Sequence, residues 1–133
     1  MAYYCHACGN EQIFEVKVGG AELLSSRHFP EAMQGNLIAL NTIGFRGLLN
    51  YKVSEDGAGL KITEVEPILS SADENFRPVD AEVGPDGALY FVDWHNPIVG
   101  HMQHNLRDTS RDRLHGRVYR VTAVGRPLLK PAA

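Results

Sequence analysis

Gly84-Pro85-Asp86-Gly87-Ala88-Leu89-Tyr90-Phe91-Val92-Asp93-Trp94 is the stretch on which the fold turns. The proline presets φ and Gly87 frees it, so the first four residues read as a chain reversal. Apolar and aromatic residues fill 89–94 on one side of that reversal and 79–83 on the other. Two such runs joined by a tight turn are a β-hairpin. Working outward, runs of the same kind recur at 12–18, 36–41, 48–53, 60–65 and 117–124, each bounded by Gly, Pro, Asn or Asp. The period is two, which is the pattern of strands. Glu55-Asp56-Gly57-Ala58-Gly59 supplies the positive φ for another hairpin. Helix is scarce. Residues 30–34 have room for one turn, stopped by Gly35. Residues 101–113 have room for a short helix capped by Asn105 or Asp108.

An internal repeat organises these strands. Gly35-Asn36-Leu37-Ile38-Ala39-Leu40-Asn41 resembles Gly87-Ala88-Leu89-Tyr90-Phe91-Val92-Asp93, an offset of 52. Tyr51-Lys52-Val53 resembles Tyr119-Arg120-Val121, an offset of 68. The second copy thus holds 16 extra residues between its matched strands. Repeated short strands at roughly 40–50 residues per unit are how β-propellers are written. At that rate this length gives about two to three blades, whereas a closed propeller has roughly four to eight. An open arc exposes strand edges and apolar faces. The expectation is an all-β chain: a partial β-propeller of about two to three blades, or a small sandwich that mimics one. Residues 1–19 stay unassigned, 20–124 form the blades, and 125–133, interrupted by Pro127 and Pro131, read as a tail or linker.

Composition narrows the partners. The 133 residues are 44% hydrophobic and 22% charged, ordinary globular proportions. A net charge of −3 is not that of a nucleic-acid coat. No apolar run approaches the roughly 18 residues of a membrane span. Met1-Ala2-Tyr3-Tyr4 has neither the basic nor the apolar region of a signal peptide. Two cysteines supply no disulfide framework.

Several constellations invite chemistry, each beside a plainer reading. Cys5-His6-Ala7-Cys8-Gly9 has Gly where c-type haem attachment needs His, so there is no haem site here. Cys5 and Cys8 resemble one zinc knuckle, but no second Cys-x-x-Cys completes four ligands. Two incidental thiols is the plainer reading. The long insertion, 95–115, holds four of the six histidines, three arginines and two aspartates. His101 and His104 with His95 and His115 offer imidazoles for a metal or for proton transfer. Arg107, Arg111 and Arg113 would repel a cation, so an anion cradle or an Arg–Asp-ordered loop competes with the metal. Arg117 and Arg120 face opposite sides of their strand, so at most one reaches a site. Asp80, Asp86 and Asp93 surround a hairpin without the spacing of an EF-hand; turn chemistry is their plainer use. Arg27 and His28 are placed to flank a groove. No nucleophile elbow, phosphate loop or dinucleotide fingerprint is present.

One resemblance covers most of the chain, about 20–131. It is carried by Ser26-Arg27-His28-Phe29-Pro30, Gln34-Gly35-Asn36, Glu64-Val65-Glu66-Pro67 and Phe76-Arg77-Pro78-Val79-Asp80. It continues through Gly84 to Tyr90, Asp93-Trp94, Asn96-Pro97, Gly100-His101-Met102-Gln103-His104, Leu106-Arg107-Asp108, Arg111-Asp112 and His115 to Val121. These resemble the last propeller blades of planctomycete-type membrane-bound dehydrogenases. Those are haem-binding proteins related to quinoprotein glucose/sorbosone dehydrogenases. The resemblance implies a fragment of a six-bladed propeller, not expected to be catalytic by itself, in the periplasm or cell envelope. It implies pyrroloquinoline quinone and calcium as cofactors and a small sugar or alcohol as substrate. His101 and His104 would be proton-transfer candidates; Arg107, Arg111, His115 and Arg117 would bind cofactor. The remaining blades, or another copy of the chain, would complete the ring. The alternative is a non-catalytic carbohydrate-binding or assembly module, with Trp94 stacking on a sugar.

Overall fold

A computed structural model describes residues 18–99 and 107–131. Seven strands run in order: β1 Val18–Leu23, β2 Leu37–Asn41, β3 Gly47–Asp56, β4 Gly59–Ser70, β5 Pro78–Val83, β6 Leu89–Asp93 and β7 Arg117–Val121. A single 3₁₀ turn, Glu31–Met33, falls where proline and Gly35 bracket the chain. The protein is all-β, as the alternation requires. Consecutive strands pair antiparallel into two sheets, β1-β2-β3-β4 and β5-β6-β7. The hairpin between β5 and β6 turns at Gly87, whose φ is +80°. Among the described residues no helix is long and apolar enough to cross a membrane.

Three readings of extent need correction. The run 117–124 ends as a strand at Val121, because the chain then turns away to bond a loop. Of residues 101–113, where a short helix has room, 101–106 lie outside the described residues and 107–113 hold turns and no helix, because Asp108 and Asp112 bond nearby backbone amides instead. The repeat also shifts. Leu37 pairs with Tyr51 and Leu89 with Val121, so Tyr51 corresponds to Val121 rather than Tyr119. A slip of two residues preserves which face each side chain occupies, so the pattern looked right at the wrong register.

The core lies between the sheets. Ile38, Leu40 and Leu48 from the first sheet meet Ala81, Leu89 and Phe91 from the second, with Leu24, Phe29 and Phe76 closing the ends. Phe76 stands edge-on to Phe91 and Tyr119, and those two rings stack at 5.0 Å. Strand β1 has Gly19-Gly20-Ala21, a stretch with little intrinsic strand preference. Close approach explains it. A Cβ on Gly20 would lie 2.7 Å from the Val79 carbonyl oxygen and 2.8 Å from Asp80 Oδ1. Edge strands β1 and β5 therefore lie backbone against backbone.

That approach also gathers acids. Burial first, then Glu82 and Asp80, hold the Glu22 carboxyl above its ordinary range. A carboxyl whose folded pKa is raised favours the fold at low pH and opposes it as pH rises through that value. Glu22→Gln should therefore raise the melting temperature at pH 7 and leave it little changed near pH 3. An unchanged or lowered melting temperature at pH 7 would contradict this electrostatic account.

The strand directions collect the connections at two ends. Residues 42–46, 71–77, 94–99 and 107–116 lie at one end; 24–36, 84–88 and 122–131 lie at the other.

Candidate functional site

Strand β6 ends at Asp93, which is 2% exposed. Its Oδ1 accepts hydrogen bonds from the Arg77 amide at 2.7 Å and the His95 amide at 2.8 Å. This carboxylate turn holds His95 at φ +49°, a left-handed position unusual for a side-chain-bearing residue. Arg117 opens β7 directly opposite Asp93. Its Nη1 donates to Asp73 Oδ2 at 3.1 Å and to the Tyr119 hydroxyl at 3.3 Å, and lies 3.7 Å from Asp93 Oδ2. Its Nη2 lies 3.0 Å from His95 Nε2.

That last contact fixes the imidazole chemically. A guanidinium only donates, so Nε2 accepts and the neutral ring carries its proton on Nδ1. His95 Nδ1 is buried and bonds nothing; Asp73 Oδ2 stands 3.9 Å away. His95 thus presents a donor rather than a base. The Asn75 amide first, then Arg117, holds the Asp73 carboxyl below its ordinary range. The Tyr119 hydroxyl and Asp73 hold the Arg117 guanidinium above its own.

Two more arginines close this end. Arg77 is 9% exposed and donates to the carbonyls of Phe76 at 3.1 Å and Pro97 at 3.3 Å. Burial, then Arg46, lowers its pKa. Arg46 precedes β3 at φ +54°. Among the described residues, four buried side-chain polar atoms lack a hydrogen bond: Arg46 Nε, Arg77 Nε, Asp93 Oδ2 and His95 Nδ1. All four belong to residues at this one end. Buried polar atoms without partners are costly and concentrate where function requires them. Three donors and one acceptor match a ligand that carries hydroxyl or carboxylate oxygens.

The residues nominated from sequence divide. Arg117 joins the cluster. Arg111 donates to the Ile98 carbonyl at 3.0 Å and lies 5.9 Å over the Trp94 ring, fastening its own loop. His115 bonds Asp112 at 2.9 Å with its side chain 73% exposed. Arg107 and Arg111 line an open hollow of about 480 Å³ whose walls do not include Asp93, His95 or Arg117. Arg120 points to the opposite face from Arg117 and pairs with Asp86, as the period of two requires. His28 lies buried at the other end. His101, His104, Cys5 and Cys8 lie outside the described residues. Among those described, no three His, Cys, Asp or Glu side chains are placed to hold a metal ion.

Sequence reasoning passed over Asp73, Arg46 and Arg77. Nothing local marks them, because they converge from two connections, 42–46 and 71–77, that are far apart in sequence. The acid response of the cluster follows from Asp73. A depressed carboxyl contributes stability above its unfolded pKa of about 3.9 and loses it as pH falls below that. Asp73→Asn should lower the melting temperature at pH 7 and flatten its fall between about pH 5 and pH 2. An acid profile identical to the parent's would remove Asp73 from the account.

Over residues 10–125 the chain matches the model of a family described as a domain of unknown function (DUF7133). No curated protein and no solved structure matches it. The match spans all seven strands and the whole Asp73–Asp93–His95–Arg117 cluster, and the chain belongs to the DUF7133 family.

Proposed function

We propose that this chain is a segment of a β-propeller related to sugar- and alcohol-oxidising quinoprotein dehydrogenases. Its two sheets would be successive blades, and the Asp93–His95–Arg117 end would face the ligand. One observation carries the reading. Equivalent positions of the two sheets point the same way. Ile38, Leu40 and Leu48 point toward the second sheet. Their counterparts Tyr90, Val92 and Val118 occupy the opposite face from Phe91 and Tyr119, with Val118 72% exposed. A pair of sheets related by a twofold axis would turn like faces together. Stacking in one sense, with β1 against β5 innermost, is how blades follow one another around a wheel. The open face of the second sheet is then where a further blade, or another copy of the chain, would sit.

The end cluster fits part of the implied cofactor. The free Nε–H groups of Arg46 and Arg77 suit carboxylates of a quinone. When bound, such a quinone supplies the two-electron oxidant. The described residues offer calcium no comparable set of ligands. His95 Nδ1–H can orient a substrate hydroxyl oxygen, and Asp93 Oδ2 can accept the hydroxyl hydrogen. His101 and His104 stay candidates for proton transfer, and Arg107, Arg111 and His115 for outer contacts. A periplasmic or cell-envelope location belongs to the same reading.

The test is a thermal melt with pyrroloquinoline quinone, with and without calcium. A ligand at about 100 times its Kd adds roughly 2.7 kcal/mol to stability if it binds only the folded chain. A rise with quinone, lost in Arg46→Gln, supports the reading. A second reading, a non-catalytic carbohydrate-binding module, is favoured by Trp94, which is 42% exposed. A rise with oligosaccharide alone, lost in Trp94→Ala, selects that module. No rise with either ligand rejects both.

A further inference from the structure

At the end opposite the candidate site, His28 is 1% exposed, and both of its ring nitrogens bond to backbone atoms about a hundred residues away in sequence. Its Nδ1 lies 2.9 Å from the Pro127 carbonyl oxygen, and its Nε2 accepts from the Ala123 amide at 2.9 Å. A carbonyl can only accept and an amide N–H can only donate. The ring must therefore be neutral, with its proton on Nδ1. The rest of the segment is fastened around that ring. Arg126 donates to the His28 carbonyl at 2.7 Å and to the Arg27 carbonyl at 3.1 Å, and the Leu129 amide donates to the Asp86 carbonyl at 2.8 Å. Ser26 braces the loop from beneath, donating to Gly87 and accepting from the His28 amide. Phe29 stands edge-on to the imidazole at 5.3 Å.

We propose that His28 is a protonation-operated latch that holds the strap of residues 123–129 across this end and releases it in acid. A second proton on Nε2 would set two N–H groups against each other where one hydrogen bond now stands. The charged ring would also be buried against Phe29 and beside the Arg126 guanidinium, which adds like charge. The other charged groups on the surrounding elements include Arg27 and Glu31 on the 24–36 loop, Lys52 on β3, Glu66 on β4, Lys130 beyond the strap, and Asp86 at the hairpin paired with Arg120 of β7. Asp86 does not compete for the proton. Burial would raise its pKa, but hydrogen bonds from the Ala88 amide, Tyr90 and Arg120 outweigh burial and hold it below the ordinary range. Histidine is the side-chain type whose ordinary protonation range spans pH 5 to 8, and among the described residues no other histidine stands at this end. Release has a defined consequence. Residues 121–124 form one wall of a cavity of about 640 Å³ whose other walls include Phe29, Met33, Val65 and Ile68. Release of the strap withdraws Ala123 and Val124 from that wall and opens the cavity into a wider groove, while Val121 stays in β7. The latch uses none of the residues of the Asp93 cluster and stands whether or not the chain is part of a propeller.

Amide hydrogen exchange on the intact chain tests it, with rates corrected for intrinsic pH dependence. Protection at Ala123 and Leu129 should fall by about tenfold or more between pH 8 and pH 5, while β2 and β6 stay protected. In His28→Gln, which cannot gain a proton in this range, protection at Ala123 should no longer depend on pH. Equal pH dependence in both proteins, or constant protection in the parent, would overturn the latch. If His28→Gln does not fold, ¹⁵N shifts of the parent's His28 ring decide instead. They should report the Nδ1–H tautomer at pH 8 and ring protonation in step with loss of Ala123 protection. Protonation without that loss overturns the proposal equally.

Discussion

Asp93→Leu is expected to destabilise the fold by about 2–5 kcal/mol, read from denaturant unfolding monitored by fluorescence and circular dichroism. The side chain of Asp93 is fully buried and bonds two backbone amides from different segments, Arg77 and His95. Leucine would leave both N–H groups buried without an acceptor, at about 1–3 kcal/mol each. Arg117 would keep Asp73 at 3.1 Å but lose the second carboxylate at 3.7 Å. His95 would lose the hydrogen bond that its backbone N–H donates to Asp93, which holds its left-handed backbone, a conformation that costs on the order of 1–3 kcal/mol when it is not supported. Asp93→Asn separates these causes. Its amide oxygen can still accept from both backbone N–H groups, so it should lose about 1 kcal/mol and leave His95 in place. An Asp93→Leu protein within about 0.5 kcal/mol of the parent would remove Asp93 as the organiser of this end. Equal losses in both variants would shift the weight from hydrogen-bond acceptance to charge.

Phe76→Ala should cost about 3–5 kcal/mol, the usual range for truncating a buried aromatic. Phe76 is 4% exposed and lies just before β5, at the junction of the two sheets. Its ring meets Phe91 at 6.0 Å and Tyr119 at 5.9 Å, both edge-on. Each such pair adds about 0.5–1.5 kcal/mol beyond area burial. Alanine would open a void where strands β6 and β7 close over the core. Phe76→Leu keeps most of the volume and should lose less than about half as much. A loss below about 1 kcal/mol for alanine would mean that the two sheets do not depend on this ring for their packing.

These two residues show unequal legibility. Asp93 stood in a hairpin that sequence alone could read, and turn chemistry was its plainer reading. The aspartate does make a turn, yet one that gathers segments 16 residues apart and leaves its second oxygen without a hydrogen bond. Strand alternation allows at most one of Arg117 and Arg120 to reach a site, and the two do part, Arg117 to Asp73 and Asp93 and Arg120 to Asp86. Arg111 and His115 were nominated because they cluster in one insertion, but proximity in sequence gave loop-internal partners instead. Asp73, Arg46 and Arg77 carried no local signal. Asp73 and Arg77 share one connection and Arg46 lies in another, and the pairing of β3 with β4 brings those connections to one end.

The alternation of apolar residues, the glycine turns and the repeat determined by themselves that this chain is all-β and built from two related sheets. Those are short-range properties: φ at a turn and the period of two along a strand depend on near neighbours. Tertiary structure alone decided three things: the true register of the repeat, the strand at Gly19-Gly20, and the grouping of donors around Asp93. Each depends on contacts between segments far apart in sequence. A slip of two residues, a missing Cβ or an orphaned N–H has no meaning until the partner backbone is in place.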